Sequence, residues 1–126
     1  MNNLLVDTHV LLWALSSPGN LSERTRQSLV DPDNEVFVSA VTAWEVSIKT
    51  AIGKLRAPSD LHEQIQRLRL RPLPITFEDG IAVRDLPMIH RDPFDRMLIT
   101  QARARGLTLV TNDKNITQYD VSTMDA

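Results

Sequence analysis

The sequence of 126 residues predicts an α/β fold whose sheet is mainly parallel and has four to five strands. Short apolar runs of strand length alternate with longer segments in which apolar residues recur every three or four positions. No internal repeat, low-complexity tract or linker interrupts this alternation, and the length suits a single domain over 1–126. Because the chain has no cysteine, disulfides and thiolate metal sites are excluded.

The first half of the chain is predicted to form two strands and three helices. In order, these are a strand at 3–7 (NLLVD), a helix at 8–15, a helix at 22–30, a strand at 35–39 (EVFVS) and a helix at 40–52. Ser22 is a preferred N-cap residue for the second helix, and Gly53 favours an end to the third.

The second half of the chain continues the alternation with shorter elements. In order, these are a helix that begins after Ser59, a strand at 73–76 (LPIT), a helix after Thr76, a helix at 94–105, a strand at 107–111 (LTLVT) and an edge strand at 119–122. Pro74 favours a short strand, and Thr76 with Asp79 resembles a capping box. Gly106 favours the end of the helix at 94–105.

Four acidic residues fall near the same edge of the predicted sheet. Asp7 ends the first strand, and Asp113 lies just past the strand at 107–111. Ligands of open parallel sheets bind outside the carboxyl ends of the strands, so both acids are expected at one edge. Glu45 lies early in the helix after the second strand, and Asp95 opens the helix at 94–105. The sequence therefore predicts that four carboxylates converge on one crevice.

Such a cluster favours a bound cation. Two like charges about 4 Å apart repel by roughly 1 kcal/mol in water and by roughly 4 kcal/mol at an effective dielectric of 20. Carboxylate ligands suit a hard ion, Mg²⁺ or Mn²⁺. Such an ion lowers the pKa of a bound water, and a second ion can stabilise the leaving oxygen of a phosphodiester. The chain carries neither a glycine-rich P-loop nor a G-x-S-x-G elbow.

Four blocks of the sequence follow one another over nearly the whole chain: LLVDTHVLLWAL, VSAVTAWEVSIK, HRDPFDRMLITQA and TLVTND. In this order they resemble the conserved blocks of the PIN-domain ribonucleases, and most closely those of the VapC-like toxins of type II toxin–antitoxin systems. The resemblance implies a three-layer α/β/α fold and cleavage of single-stranded regions of RNA, such as tRNA or rRNA, with Mg²⁺ or Mn²⁺. It also implies a homodimer that is silenced by a cognate antitoxin protein.

The same resemblance assigns the site residues. The catalytic and metal-binding acids are Asp7, Glu45, Asp95 and Asp113. Thr111 precedes the fourth acid by two positions and is expected to hold a metal-bound water or to orient that acid.

Several polar residues near these blocks leave alternatives open. Asp92 competes with Asp95 for the third place, although its position before Pro93 suits a turn or a cap. Arg96 is interpreted either as a substrate contact or as the partner of a neighbouring acid. His9 and His90 have no metal-ligand spacing, and their roles stay open.

The charge pattern permits a polyanionic substrate despite a formal net charge of −2. No Lys or Arg occurs before Arg24, whereas six basic residues fall within 49–71, either as a solvated helix face or as a surface for RNA or antitoxin. The N-terminal segment lacks a positive region and a cleavage site, and its apolar run is too short to span a bilayer. We therefore expect a cytoplasmic protein without a membrane partner.

Three other functions compete with an RNA nuclease. A haloacid dehalogenase-type phosphatase needs a second acid two positions after Asp7, where this chain has His9. A DNA or flap nuclease uses a related fold, usually with more acids and a longer chain. A catalytically inert RNA-binding domain has no reason to keep paired carboxylates facing a polyanion.

Overall fold

Five parallel strands form the centre of the protein, which is described over residues 2–126 by a computed structural model. The strands are β1 (Asn3–Val6), β2 (Glu35–Ser39), β3 (Arg71–Leu73), β4 (Thr108–Val110) and β5 (Thr123–Met124). Their order in the sheet is β3-β2-β1-β4-β5, and each adjacent pair is parallel. The predicted α/β class and parallel sheet are therefore confirmed.

Helices cover both faces of the sheet. They are α1 (Thr8–Ser16), α2 (Glu23–Val30), α3 (Ala40–Ala51), α4 (Leu61–Arg67), α5 (Phe77–Ala82), α6 (Pro93–Arg105) and α7 (Lys114–Thr117). Side chains alternate along β1, so that Leu4 and Val6 pack in one apolar cluster with Val10 of α1 and Ile65 of α4. Leu5 points to the opposite face, into the cluster formed with α3 and α6. These two cores confirm the three-layer arrangement.

Short polar side chains cap several of these helices. Ser22 accepts a hydrogen bond from the Thr25 amide at the start of α2, as predicted. The capping box of α5 is also confirmed, because Thr76 and Asp79 each accept a bond from the other's amide, at 3.1 and 3.0 Å. The helix predicted at 94–105 is α6, and it begins one residue earlier, at Pro93. Asp95 is therefore its third residue.

Two element boundaries near the middle of the chain differ more clearly from the prediction. The third strand is β3 at Arg71–Leu73 and not 73–76, because the Pro74 carbonyl accepts a bond from Gln101 and Thr76 caps α5. The helix expected after Ser59 begins at Leu61 and has Asp60 at its N-cap position.

The last strand also lies further along the chain than predicted. It is β5 at Thr123–Met124 and not 119–122. Pairing with β4 begins where the Leu109 amide donates to the Ser122 carbonyl at 2.8 Å. Tyr119 is buried in the core instead of lying on an edge strand. Among residues 2–126, no helix has the length and the apolar character that crossing a membrane requires.

Candidate active site

The site lies where the strand order reverses. From β1 the chain builds outward to β2 and β3, and it then returns to the other side of β1 with β4. Loops at the carboxyl ends of β1 and β4 diverge at this point and leave a crevice. A cavity of about 290 Å³ opens there. It is lined by Asp7, Thr8, His9, Trp13, Glu45, Lys49, Asp92, Asp95, Asn112 and Asp113. The structure thus brings all four predicted acids to one cleft.

Asp7 is held firmly at the end of the central strand. Its amide donates to the Val110 carbonyl of β4 at 3.1 Å, and its Oδ1 accepts the Val10 amide at 2.8 Å as the N-cap of α1. The side chain is buried. Burial raises the pKa of Asp7, and the hydrogen bond from Thr111 opposes this rise. Asp7 is therefore both a helix cap and a desolvated carboxylate that a cation would stabilise.

Thr111 connects two of the acids. Its hydroxyl donates to Asp7 Oδ2, and Thr111 Oγ1 in turn accepts a hydrogen bond from the Asp113 amide at 3.0 Å. The side chain is completely buried. The second contact holds the backbone of Asp113, while the first contact, to Asp7, was not anticipated.

Glu45 lies in the second turn of α3 and has both carboxylate oxygens engaged. Oε1 accepts the Thr8 hydroxyl at 2.6 Å, and Oε2 accepts the Lys49 ammonium one helical turn further on. The carboxylate is buried, and the sequence left its facing undecided. Glu45 therefore lines the same cleft as the other three acids.

The pKa of Asp95 lies far above the ordinary value of an aspartate. Burial first, and then the charges of the neighbouring carboxylates, Asp92 foremost, raise the pKa of Asp95 to about 7. Its Oδ2 lies 3.2 Å from Nε2 of His90. Asp92 lies at the N-cap of α6, where Oδ1 accepts the amides of Phe94 and Asp95 at 2.8 and 3.2 Å. The cap role that its position before proline predicted for Asp92 is confirmed.

Asp113 completes the acidic cleft from β4. It caps α7 by accepting the Asn115 amide at 2.9 Å. One ligand atom each from His90, Asp95 and Asp113 lie within 4.8 Å of one another. His90, Asp95 and Asp113 are therefore near enough to one another that they could share a divalent ion. The oxygen-rich donor set and the raised pKa values of Asp7 and Asp95 both fit a divalent cation.

Arg96 lies outside the cleft. Its guanidinium donates to the carbonyls of Val83, Leu86, Pro87 and His90 and to the Tyr119 hydroxyl, over distances of 3.0 to 3.4 Å. The residue is buried. Neither interpretation offered for Arg96, a substrate contact or an ion pair with a neighbouring acid, matches this position. Its observed contacts fix the loop that carries His90.

Two further contacts of the cleft were not anticipated from the sequence. Lys49 lies four residues after Glu45, a spacing that places helical side chains together, so the signal was present in the sequence. The contact between Thr8 and Glu45 joins segments 37 positions apart, and no local pattern indicates it. A larger cavity of about 400 Å³ lies between α1, α2 and the end of α4, and mostly apolar side chains line it. It holds no carboxylate cluster and is a separate feature.

The fold and the acidic cleft together define a PIN domain. The model of the PIN domain family matches residues 4–122, and the chain belongs to this family. The resemblance inferred from the four sequence blocks is therefore confirmed. Among known proteins, the chain is similar to Ribonuclease VapC22 of Mycobacterium tuberculosis, with 26% identity over 122 residues that cover 94% of this chain and 93% of that protein.

Solved structures support the same fold. The crystal structure of VapBC2 from Rickettsia felis, bound to a DNA fragment from the VapBC2 promoter, contains a chain with the same fold. The two chains align with a TM-score of 0.74 at 14% identity, and the alignment covers 98% of each. A chain of VapBC-5 from Mycobacterium tuberculosis, a member of the VapBC family of toxin–antitoxin systems, has a TM-score of 0.57 at 18% identity. That match covers 98% of this chain and 97% of the other. Identities this low establish a shared fold.

Proposed function

We propose that the chain is a metal-dependent endoribonuclease that cleaves single-stranded regions of RNA and forms the toxin of a type II toxin–antitoxin module. One observation carries the proposal: Asp7, Glu45, Asp95 and Asp113 meet in one cleft at the switch point of a PIN fold. The similarity to a protein named as a ribonuclease supports RNA as the substrate. The whole range 1–126 acts as one domain in this proposal.

The four acids hold Mg²⁺ or Mn²⁺ in the proposed reaction. When bound, such an ion would lower the pKa of a water molecule and neutralise charge on the phosphodiester. Thr111 keeps the Asp7 carboxylate in one orientation, and Asp92 fixes the first turn of α6, which carries Asp95. Because these supports are hydrogen bonds within the protein, the carboxylates need little rearrangement when substrate arrives.

A cognate antitoxin is the proposed protein partner. A relative of this fold is described as a member of a family of toxin–antitoxin systems. The apolar cavity between α1 and α2 offers a surface that a partner chain would cover, and Val30 at its rim is 75% exposed. A homodimer is proposed as well, because α3 and α5 leave large apolar side chains in solvent, including Trp44 at 56% and Phe77 at 80% exposed.

The test is cleavage of a labelled total-RNA pool by purified protein free of any antitoxin. We expect discrete cuts with Mn²⁺, no cuts with EDTA, and no cuts by the Asp7→Asn protein. Asp33→Asn serves as the matched control, since Asp33 is exposed and lies outside the cleft. Single-stranded and flap DNA are run in parallel, and cleavage of DNA instead of RNA would contradict the substrate that we propose.

Expression in cells tests the toxin role and the third acid together. The wild-type chain should arrest growth, and Asp95→Ala should relieve the arrest. If Asp92→Ala relieves the arrest and Asp95→Ala does not, the third acid is wrongly assigned. Co-expression of a cognate antitoxin should restore growth to cells that carry the wild-type chain.

A further inference from the structure

We propose that Lys49 binds a backbone phosphate of the RNA beside the carboxylate cluster, and that Glu45 and Phe94 hold its ammonium group in place. This inference rests on the proposed ribonuclease function, because it names a further substrate contact of the same site. It is argued from the position of the Lys49 side chain, which is cationic and lines a cleft that also holds five carboxylates.

Lys49 projects from the third turn of α3 into the cleft. Its ammonium donates to Glu45 Oε2 and lies 5.7 Å from the centre of the Phe94 ring. Phe94 is itself fixed by an edge-to-face contact with Trp44, with ring centres 5.2 Å apart. The Lys49 side chain is 32% exposed. The ammonium is therefore positioned by two partners and still reaches solvent.

The charges of the cleft explain why such a group is needed. Within the described part of the chain, the cavity is lined by five carboxylates, and Lys49 is the one Lys or Arg among the lining residues. RNA carries a negative charge at every nucleotide, so an approaching strand meets repulsion that a bound cation offsets only in part. Arg96 cannot supply the missing positive charge, because backbone carbonyls and Tyr119 occupy its guanidinium.

Glu45 can hold Lys49 and also contact a metal ion. A carboxylate oxygen has two lone pairs and accepts more than one partner. Thr8 fixes Oε1 at 2.6 Å, so the orientation of the carboxylate, and with it the position of the ammonium, is determined by two elements of the fold. Glu45 thus orients the ammonium, and Lys49 makes the phosphate contact.

A competing explanation gives Lys49 no contact with RNA. In that case the ammonium only neutralises Glu45 until a divalent ion arrives. The two explanations differ in what removal of the charge does. Loss of a phosphate contact weakens RNA binding and lowers its dependence on salt. If Lys49 only neutralises Glu45, removal of its charge leaves RNA binding unchanged and strengthens metal binding, because Glu45 is then no longer neutralised.

The experiment compares the wild-type protein with Lys49→Met, Lys49→Arg and Arg103→Met. Arg103 is exposed on α6, eight residues beyond Asp95 and about 12 Å further along the helix axis, and serves as the charge-matched control. Binding of a labelled single-stranded RNA pool is followed by fluorescence anisotropy between 50 and 200 mM salt, with Ca²⁺ in place of the catalytic ion. Mn²⁺-induced stabilisation is measured on the same proteins by thermal unfolding, which also checks that each variant folds.

We expect Lys49→Met to bind RNA about fivefold more weakly, with the slope of log K against log salt reduced by about 0.7. Lys49→Arg should keep the wild-type slope, and Arg103→Met should match the wild type. RNA binding by Lys49→Met that equals the wild type, with a larger Mn²⁺ shift, would overturn the contact and leave the ribonuclease proposal intact. Failure of the wild-type protein to bind RNA would overturn both.

Discussion

Asp95→Asn should stabilise the protein when no metal is present. The pKa of the Asp95 carboxyl rises from 3.8 to about 7, chiefly through burial and then through its acidic neighbours. At pH 8 this rise corresponds to about 4 kcal/mol of destabilisation of the folded carboxylate. An amide keeps the shape of the side chain and removes its charge, so the free energy of unfolding should increase by about 3 kcal/mol. For a chain of this length the melting temperature should rise by about 10 °C.

The stabilisation by Asp95→Asn should be larger at high pH than at low pH. Because the folded pKa is raised above the unfolded value of 3.8, the stability contributed by Asp95 is complete below that value and is lost as the pH rises through about 7. The advantage of Asp95→Asn should therefore shrink to less than about 2 kcal/mol at pH 5.

Metal should act in the opposite direction. At a Mn²⁺ concentration about 100 times its dissociation constant, the wild-type protein gains about 2.7 kcal/mol. The variant lacks one ligand and gains less, so the difference in stability measured in EDTA should become smaller when Mn²⁺ is added.

Thermal unfolding followed by circular dichroism provides the assay. Melting curves are recorded in EDTA at pH 5 and pH 8, and again at pH 8 with Mn²⁺. Asp33→Asn is the control, since a substitution at this exposed position should change stability by no more than about 0.5 kcal/mol. A lower melting temperature for Asp95→Asn in EDTA at pH 8 would refute the reasoning, because it would mean that burial and the neighbouring carboxylates do not disfavour the ionised Asp95 side chain in the folded state.

Three other polar contacts give measurable outcomes. Burial raises the pKa of Asp79, but its bonds with Arg105 and other donors lower it to about 2, so Asp79→Asn should cost about 2 kcal/mol at pH 7 in urea denaturation. This wild-type advantage should disappear as the pH falls from about 4 to about 2. Arg96→Met releases the loop at 83–92, so limited proteolysis should cut there first; an unchanged digestion pattern would mean that other contacts hold it. Thr111→Val removes the donor to Asp7 and should reduce the Mn²⁺-induced rise in melting temperature, whereas an equal rise would exclude an influence of Thr111 on the metal site.

The central part of the fold was predictable because its signals are local. Leu4 to Val6 form a buried apolar run in strand β1, and Ser22 and Gly106 lie at the helix ends where they were expected. Gly106 adopts the left-handed conformation, with φ at 65°, that favours glycine after a helix. The edge strands were misplaced because their position depends on contacts with distant residues. Pairing with β2 and β4, and not apolar pattern, determines which two or three residues form β3 and β5.

The acids of the cleft were predictable for a related reason. Strand ends can be located in a sequence, and parallel strands bring their carboxyl ends to one edge. The environment of each acid could not be derived in this way. The contact of His90 with Asp95 depends on a loop that Arg96 and Tyr119 hold in shape. Arg96 looked like a surface residue of the site because its neighbour in the sequence is an acid, yet its helix position turns it into the interior.

The sheet order also has a consequence for synthesis of the chain. The central strand β1 is made first, but its neighbour β4 begins at Thr108, so the middle of the sheet stays open on one side until most of the chain exists. The cleft needs Asp113, which follows β4. Because folding during translation can use only residues that have left the ribosome, a nascent chain carries its first three acids without an assembled site. In a chain built in this order, the complete cleft can form only after Asp113 has been added.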